Sequence, residues 1–346
     1  MNKFDIFEED FLSLKHTFDF SLLRNSSVFV TGATGLIGSQ ILLFLDYLNR
    51  TEDYSMMLIG LIRNENKAKE VFGNRFCSFY FVVGDVLKLP NIPMRIDYIV
   101  HGASITSSFD FVKKPVETIN IALNGTLNLL RFAQSQSVKS MVYLSSMEVF
   151  GLTPNDNSSV SESDYGYIDI LNTRSSYSES KRLCECLCHC FSNEFSLPVK
   201  IVRLTQTLGA GINYNDTRVA AQFARAVIEK HDIVLNTYGT TKRPVIYSSD
   251  AISAILIVLL QGLSGQAYTA ANDETFCSIR ETAEMIVSSI AKNQIKLIFD
   301  VKDIPKEYAP NLNLNLKLDT SLLRSLGWFP QVDLTEAYFR MINGMK

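Results

Sequence analysis

A chain of 346 residues with 47% hydrophobic and 20% charged residues has the apolar content for a full core, which excludes global disorder. A formal charge of −3 offers none of the clustered cations that a phosphate backbone requires, so nucleic acid is not an expected partner. No run of about 18 apolar residues is present to cross a bilayer, MNKFDIFEEDF lacks the basic and apolar regions of a signal peptide, and the six cysteines form no disulfide framework, so a cytoplasmic protein without membrane contact is expected.

Taken in chain order, residues 1–25 read as an amphipathic extension whose apolar stripe is Phe11, Leu12, Leu14, Phe18, Leu22 and Leu23. Short apolar runs follow at SSVFVTG (26–32), MMLIGLI (ending at 62), SFYFVVG (78–84), DYIVHGA (97–103) and SMVYLSS (140–146), with helical spacing between them at 37–49 and 116–134. Strands alternating with helices predict a parallel sheet covered on both faces. Residues 152–175 are polar and loop-like, 177–195 returns to helical spacing, and KIVRL (200–204) is one more strand. Beyond 205, helices are predicted at 217–230, 250–262 and 278–291; LGWFPQVDLTEAYFRMI reads as a turn, with Trp328 as its core anchor, followed by a closing helix. The expected fold class is α/β: a Rossmann-type doubly wound parallel sheet (26–204) followed by a smaller C-terminal substrate-binding α/β part (205–346).

Thr31-Gly32-Ala33-Thr34-Gly35-Leu36-Ile37-Gly38 follows a predicted strand and opens a predicted helix, the context of a dinucleotide-binding turn. Gly32 permits the tight turn, Gly35 lets backbone approach a pyrophosphate, and Gly38 lets helix pack on sheet; Thr34, Leu36 and Ile37 complete the cofactor contacts. Asp85-Val86 after the third run either offers a carboxylate to the adenine amino group or caps the strand. Arg63 ends the second strand, where an acidic residue would hold both ribose hydroxyls of NAD, so the cofactor is NAD or NADP with the cation tilting toward the 2′-phosphate of NADP.

Tyr177-Ser-Glu-Ser-Lys181 puts a phenol and an ammonium on one helix face, where the cation lowers the phenol toward the range useful for proton transfer. Ser146, ending the strand SMVYLSS, can share a hydrogen bond with that phenol. The cysteines at 184, 186, 188 and 190 read as packing: only Cys184/Cys188 or Cys186/Cys190 converge on a helix, and two thiols beside His189 make no closed metal site. His101 reads as conformational, and the Asn157-Ser-Ser159 triplet as a chance match.

These motifs together resemble the extended short-chain dehydrogenase/reductases of the nucleotide-sugar epimerase/dehydratase group. The resemblance is carried by TGATGLIG, GDV (84–86), HGAS (101–104), GTLNLL (125–130), LSSMEVFG (144–151), YSESK (177–181), RLTQTLG (203–209), NDTRVAAQF (215–223), TKRPVIYSSDA (241–251) and LGWFP (326–330). Within that group HGASITSSFDFVKKPVETI, NTRSSYSESKR and NDTRVAAQF are similar to segments of UDP-glucuronate decarboxylases. The resemblance implies a proton relay of Ser146, Tyr177 and Lys181, an extra acid/base at Glu148, and cofactor contacts at Ala103 and Ser104. It also implies substrate contacts at Gln206, Arg218 and Arg243, a nucleotide-diphosphate sugar as substrate, and a homodimer built on the 177–195 helix. Four departures stand out: Arg63 where the decarboxylases carry Asp, Met147 where they carry Ser, Ala122 for an Asn before the GT pair, and Gln206 for a substrate-contacting Asn. The expected reaction passes through a C4-keto sugar with a recycling nicotinamide; the alternatives are an NADPH-dependent 4-keto-sugar-nucleotide reductase and a non-catalytic nucleotide-binding regulator.

Overall fold

The continuous apolar runs become the buried strands of one sheet, seen in a computed structural model that describes residues 3–153, 159–301 and 315–346. In chain order the strands are β1 (Ser27–Thr31), β2 (Met57–Ile62), β3 (Tyr80–Val83), β4 (Tyr98–His101), β5 (Ser140–Ser146), β6 (Val199–Leu204), β7 (Gln206–Leu208), β8 (Ile233–Leu235), β9 (Lys242–Tyr247), β10 (Ala267–Ala270), β11 (Asn272–Ser278) and β12 (Leu297–Phe299). Seven of them form the large sheet in the order β3-β2-β1-β4-β5-β6-β10, with every pairing parallel. Strand order reverses between β1 and β4, the switch point where ligands of doubly wound sheets bind. Two smaller sheets, β11-β9-β7 and β12-β8, belong to the later part of the chain, although β10 returns to the large sheet.

The helices are α1 (Lys3–Leu14), α2 (Leu36–Glu52), α3 (Glu65–Phe72), α4 (Ser108–Lys113), α5 (Pro115–Gln136), α6 (Ser175–Phe195), α7 (Val219–Glu229), α8 (Ser248–Gln261), α9 (Ile279–Met285), α10 (Ser321–Arg324) and α11 (Leu334–Met345). Alternation along β1 sorts its side chains to the two faces. Val28 and Val30 join the core made with α1, α2 and α8, while Phe29 joins that made with α5 and α6. A third core gathers α7, α11 and β8.

The N-terminal stretch is part of this architecture. Ile6, Phe7, Phe11 and Leu14 of α1 are buried, and Phe11 meets Phe44 and Tyr47 of α2, whereas Leu12 and Leu22 of the expected stripe face outward. Asp10, also buried, accepts a hydrogen bond from the Tyr247 hydroxyl at 2.8 Å and pairs with Arg340 of α11. Trp328 is buried and its Nε1 donates to the Ser253 hydroxyl at 2.9 Å, an anchor on α8. Asn157 and Ser158 of the triplet noted above lie outside the described residues. Among the described residues no helix is long and apolar enough to cross a membrane.

Candidate active site

The glycine turn sits at the switch point. After Thr31 the chain turns at Gly32 with φ +69°, and α2 starts at Leu36 with Gly35 as a cap that makes no side-chain bond. A Cβ on Gly32 would stand 2.8 Å from the Gly102 carbonyl carbon, and one on Gly38 would stand 2.4 Å from the Gly32 carbonyl oxygen. Only glycine lets these three backbones meet. The first-turn N–H groups of α2, including those of Leu36 and Ile37, have no intrahelical acceptor and are left for an anion. A cradle that a Cβ would fill, below an uncapped helix terminus, fits the pyrophosphate of a dinucleotide, with half-buried Thr34 and exposed Gly35 on its rim.

The neighbouring strand ends are held by His101. Its Nδ1 lies 2.8 Å from Thr31 Oγ1 and its Nε2 3.2 Å from Thr126 Oγ1, while the Ala103 N–H donates to Thr31 Oγ1 at 3.2 Å. Burial, reinforced by the charge of Lys181, pushes this imidazole down to about 3, so it is a neutral strut between β1, β4 and α5. Ser104 donates to the Ile105 carbonyl at 3.2 Å. Arg63 is exposed at the end of β2, and the adjacent Asn64 caps α3 by accepting from the Lys67 N–H at 3.0 Å. The Asp85 carboxylate accepts from the Leu87 N–H at 2.9 Å, closing a local turn, and Val86 is buried under α5, where a Cβ on Gly125 would meet it at 2.8 Å.

At the end of β5, Ser146 starts a short turn and its Oγ accepts from the Glu148 N–H at 3.2 Å. Tyr177 comes to it from α6: the Ser146 hydrogen bond acts to lower the phenol, but burial outweighs it and pushes the group up to about 12. The ammonium expected to lower it lies 5.7 Å from the Tyr177 ring centre and donates instead to the Leu144 carbonyl at 2.7 Å. Burial brings Lys181 itself down to about 8. One turn further, Glu185 accepts from Ser145 Oγ at 2.5 Å and from buried Arg203 at 2.7 Å, which fixes α6 against β5 and β6. Cys184 and Cys188 face the core from this helix, Cys186 and Cys190 face outward, and His189 bonds the Gly265 carbonyl.

Glu148 points into the same space, its side chain 24% exposed. Burial acts to raise its carboxyl, but the bonds and charge of Arg174, with the charge of Arg243 behind them, hold it below the usual range. Arg243 on β9 is pushed down by burial and donates to Gln206 Oε1 at 3.1 Å. Arg218 heads α7 and is held by Asp216 at 2.6 Å, close enough for its charge to act on Tyr177. Met147 packs with Phe150, Val160, Ala271, Leu316 and Leu318, and Ala122 is buried in the α5–α6 core. The structure therefore brings Ser146, Glu148, Tyr177, Lys181, Gln206, Arg218 and Arg243 to one end of the sheet. Sequence reasoning missed Arg174 and Phe111. Arg174 stands three residues before Tyr177, a spacing that shares its helix face and could have marked it. Phe111 carries no such signal.

The profile of the NAD-dependent epimerase/dehydratase family matches residues 28–271. The chain is 27% identical over 329 residues to UDP-glucuronic acid decarboxylase 6 of Arabidopsis thaliana, covering 91% of this chain and 90% of that protein. It is 25% identical over 322 residues to UDP-glucuronic acid decarboxylase 1 of Danio rerio, covering 91% and 72%. Among solved structures it resembles the dTDP-glucose 4,6-dehydratase DesIV of Streptomyces venezuelae with NAD bound (TM-score 0.74, 21% identity, 92% and 96% covered). It also resembles the UDP-glucose 4-epimerase of Thermotoga maritima with UDP-glucose (TM-score 0.76, 18% identity, 91% and 97% covered), and RMD of Pseudomonas aeruginosa complexed with NADPH (TM-score 0.72, 19% identity, 93% and 99% covered).

Proposed function

The chain belongs to the NAD-dependent epimerase/dehydratase family, and on that premise we propose that it oxidises a nucleotide-linked sugar at C4, reworks the ring beside the ketone, and returns the hydride to the sugar. The observation that carries this reading is the convergence of Ser146, Tyr177 and Lys181, with Glu148 and Arg243 alongside, beyond the end of β5. Tyr177 takes the C4 hydroxyl proton while Ser146 holds both oxygens in register and Lys181 supplies positive charge for the phenolate. A bound nicotinamide, held by the Gly32–Gly38 turn with Ala103, Ser104 and Asp85-Val86 along its length, supplies hydride acceptance and return. A C4 ketone acidifies C5–H and turns a C5 carboxylate into the leaving group of a β-keto acid, so epimerisation, elimination and decarboxylation all become accessible. Glu148 is the second acid/base, and Arg218, Arg243 and Gln206 hold the diphosphate side of the substrate. Exposed Val116, Ile119 and Leu183 on α5 and α6 support a homodimer across these helices.

A second reading is a one-way NADPH-dependent reductase of a 4-keto sugar nucleotide. Arg63, exposed where the ribose 2′ position would lie, favours it and favours NADP in either scheme.

The test is incubation with UDP-glucuronic acid, UDP-glucose and dTDP-glucose without added reductant, followed by NMR and nicotinamide absorbance. Conversion without net redox change is expected, and its loss in a Tyr177→Phe variant that still binds cofactor. Wild-type turnover in that variant overturns the scheme; stoichiometric NADPH consumption by a 4-keto sugar nucleotide selects the reductase.

A further inference from the structure

The phenol ring of Tyr177 is covered from α4. Phe111 lies flat against it, with ring centroids 4.2 Å apart and planes 10° from parallel. The Ser176 hydroxyl donates to the Phe111 carbonyl oxygen at 3.1 Å, which ties α4 to the residue just before Tyr177. Phe111 is 3% exposed although its neighbour Phe109 is 60% exposed, so the short helix turns one aromatic ring inward onto the phenol and leaves the other in solvent.

We propose that Phe111 is a positioning residue for Tyr177: stacked on the phenol, it blocks the side-chain swing that would carry the hydroxyl away from Ser146 and keeps water off one ring face. The proposal rests on the reading of Tyr177 as the proton-transfer group; the stack itself does not. The orienting force of a parallel aromatic pair is modest. Its electrostatic consequence is larger, because an apolar cover disfavours the phenolate and leaves proton affinity to the polar groups nearby. Those groups are Ser146 and Glu148 at the end of β5, Tyr143 on β5 itself, Arg174 and Lys181 from α6, and Arg218 at the head of α7. The carboxylate raises the phenol and Arg174 and Arg218 lower it, but burial is the largest influence, and Phe111 is the ring that packs flat on this phenol. Phe111 thus sets how strongly Tyr177 holds its proton without touching substrate.

The test uses the full chain as Phe111→Ala and Phe111→Tyr, each read against its own double variant with Tyr177→Phe, so that the near-ultraviolet phenolate difference isolates Tyr177. The Tyr177 titration is expected to move down by about one pH unit or more in F111A and to stay near the wild-type value in F111Y. Turnover of UDP-glucuronic acid is expected to fall roughly ten-fold in kcat in F111A, with KM little changed, and to recover in F111Y. If F111A does not fold, Phe111→Leu, apolar but without a flat face, is expected to give an intermediate titration. A titration in F111A, or in F111L where that stands in, that matches wild type overturns the proposal. A shifted titration combined with full turnover in Tyr177→Phe overturns the catalytic reading of Tyr177 and leaves the effect of Phe111 on the phenol intact.

Discussion

Both terminal nitrogens of Arg174 close on the carboxylate of Glu148, at 3.0 and 2.9 Å, and the Ser178 hydroxyl adds a bond at 3.2 Å. The fork joins the start of α6 to the turn after β5, and so sets the spacing between Tyr177 and Ser146. Arg174→Met leaves this carboxylate with Ser178 and the more distant charge of Arg243. The variant is expected to lose about 1–3 kcal/mol of stability at neutral pH in urea denaturation. The carboxyl is held below its ordinary value in the folded chain, so its contribution is present above the unfolded value and is lost as pH falls through the folded one. The gap between variant and wild type should therefore narrow in acid; a gap independent of pH would remove the ion pair from the account.

Gly38 touches the glycine turn from inside α2. A Cβ there meets the Gly32 carbonyl oxygen at 2.4 Å and Ala33 Cα at 3.1 Å, and backbone cannot yield as a flexible side chain would. Gly38→Ala is expected to cost about 1–3 kcal/mol in stability and to weaken dinucleotide binding more than ten-fold by calorimetry. Unchanged affinity would mean that the pyrophosphate does not lie at this turn.

On the proposed reading Arg63 selects the cofactor. Wild-type protein is expected to bind NADPH about ten-fold more tightly than NADH, a difference that corresponds to one charge-assisted contact. Arg63→Asp is expected to reverse the order. Equal affinities in both proteins would make Arg63 a solvated residue with no part in recognition.

Most of what was legible in the site lies close along the chain, and Ser146 was read instead from its place at the end of a strand upstream of Tyr177. The glycine turn is a contiguous motif between a strand and a helix, and Tyr177 and Lys181 share a face because four residues return a helix to the same side. Asp216, two residues before Arg218, was likewise within reach. Local spacing sets Arg174 beside Tyr177 but does not point to its partner Glu148, 26 residues away, and no local pattern announces the Tyr247–Asp10 bond, which spans 237. In the fold, long periodic segments such as 116–134 and 177–195 appear as α5 and α6 with their ends shifted by a few residues. β7, β8 and β12 are three residues each, too short for an alternation to register, and they exist because neighbouring strands pair with them. The amphipathic reading of the N-terminal stretch identified Phe11 and Leu14 but not the buried carboxylate of Asp10, whose partners come from β9 and α11.

Lys200 lies far from the chemistry, at the other end of β6, and is buried with its ammonium donating to Ser140 Oγ at 2.6 Å. Burial lowers it to about 8, below the 10.5 of a free lysine, so between these values the unfolded chain binds more protons and stability rises with pH. Below about 8 the folded chain carries the whole cost of the buried charge. Lys200→Met is expected to gain about 1–3 kcal/mol at neutral pH, an advantage that fades as pH rises above the folded value. Thermal melts across that range test it; a variant less stable than wild type at neutral pH would mean that the Ser140 bond outweighs desolvation.

On the proposed scheme the hydride taken from sugar C4 returns to the same sugar. UDP-glucuronic acid carrying deuterium at C4 is incubated with the enzyme in ordinary water without added reductant, and the product is examined by mass spectrometry and NMR. The expected product keeps the label at C4 and gains a solvent proton at C5, and Tyr177→Phe is expected to give no turnover. A product formed with the label washed out into solvent would contradict it.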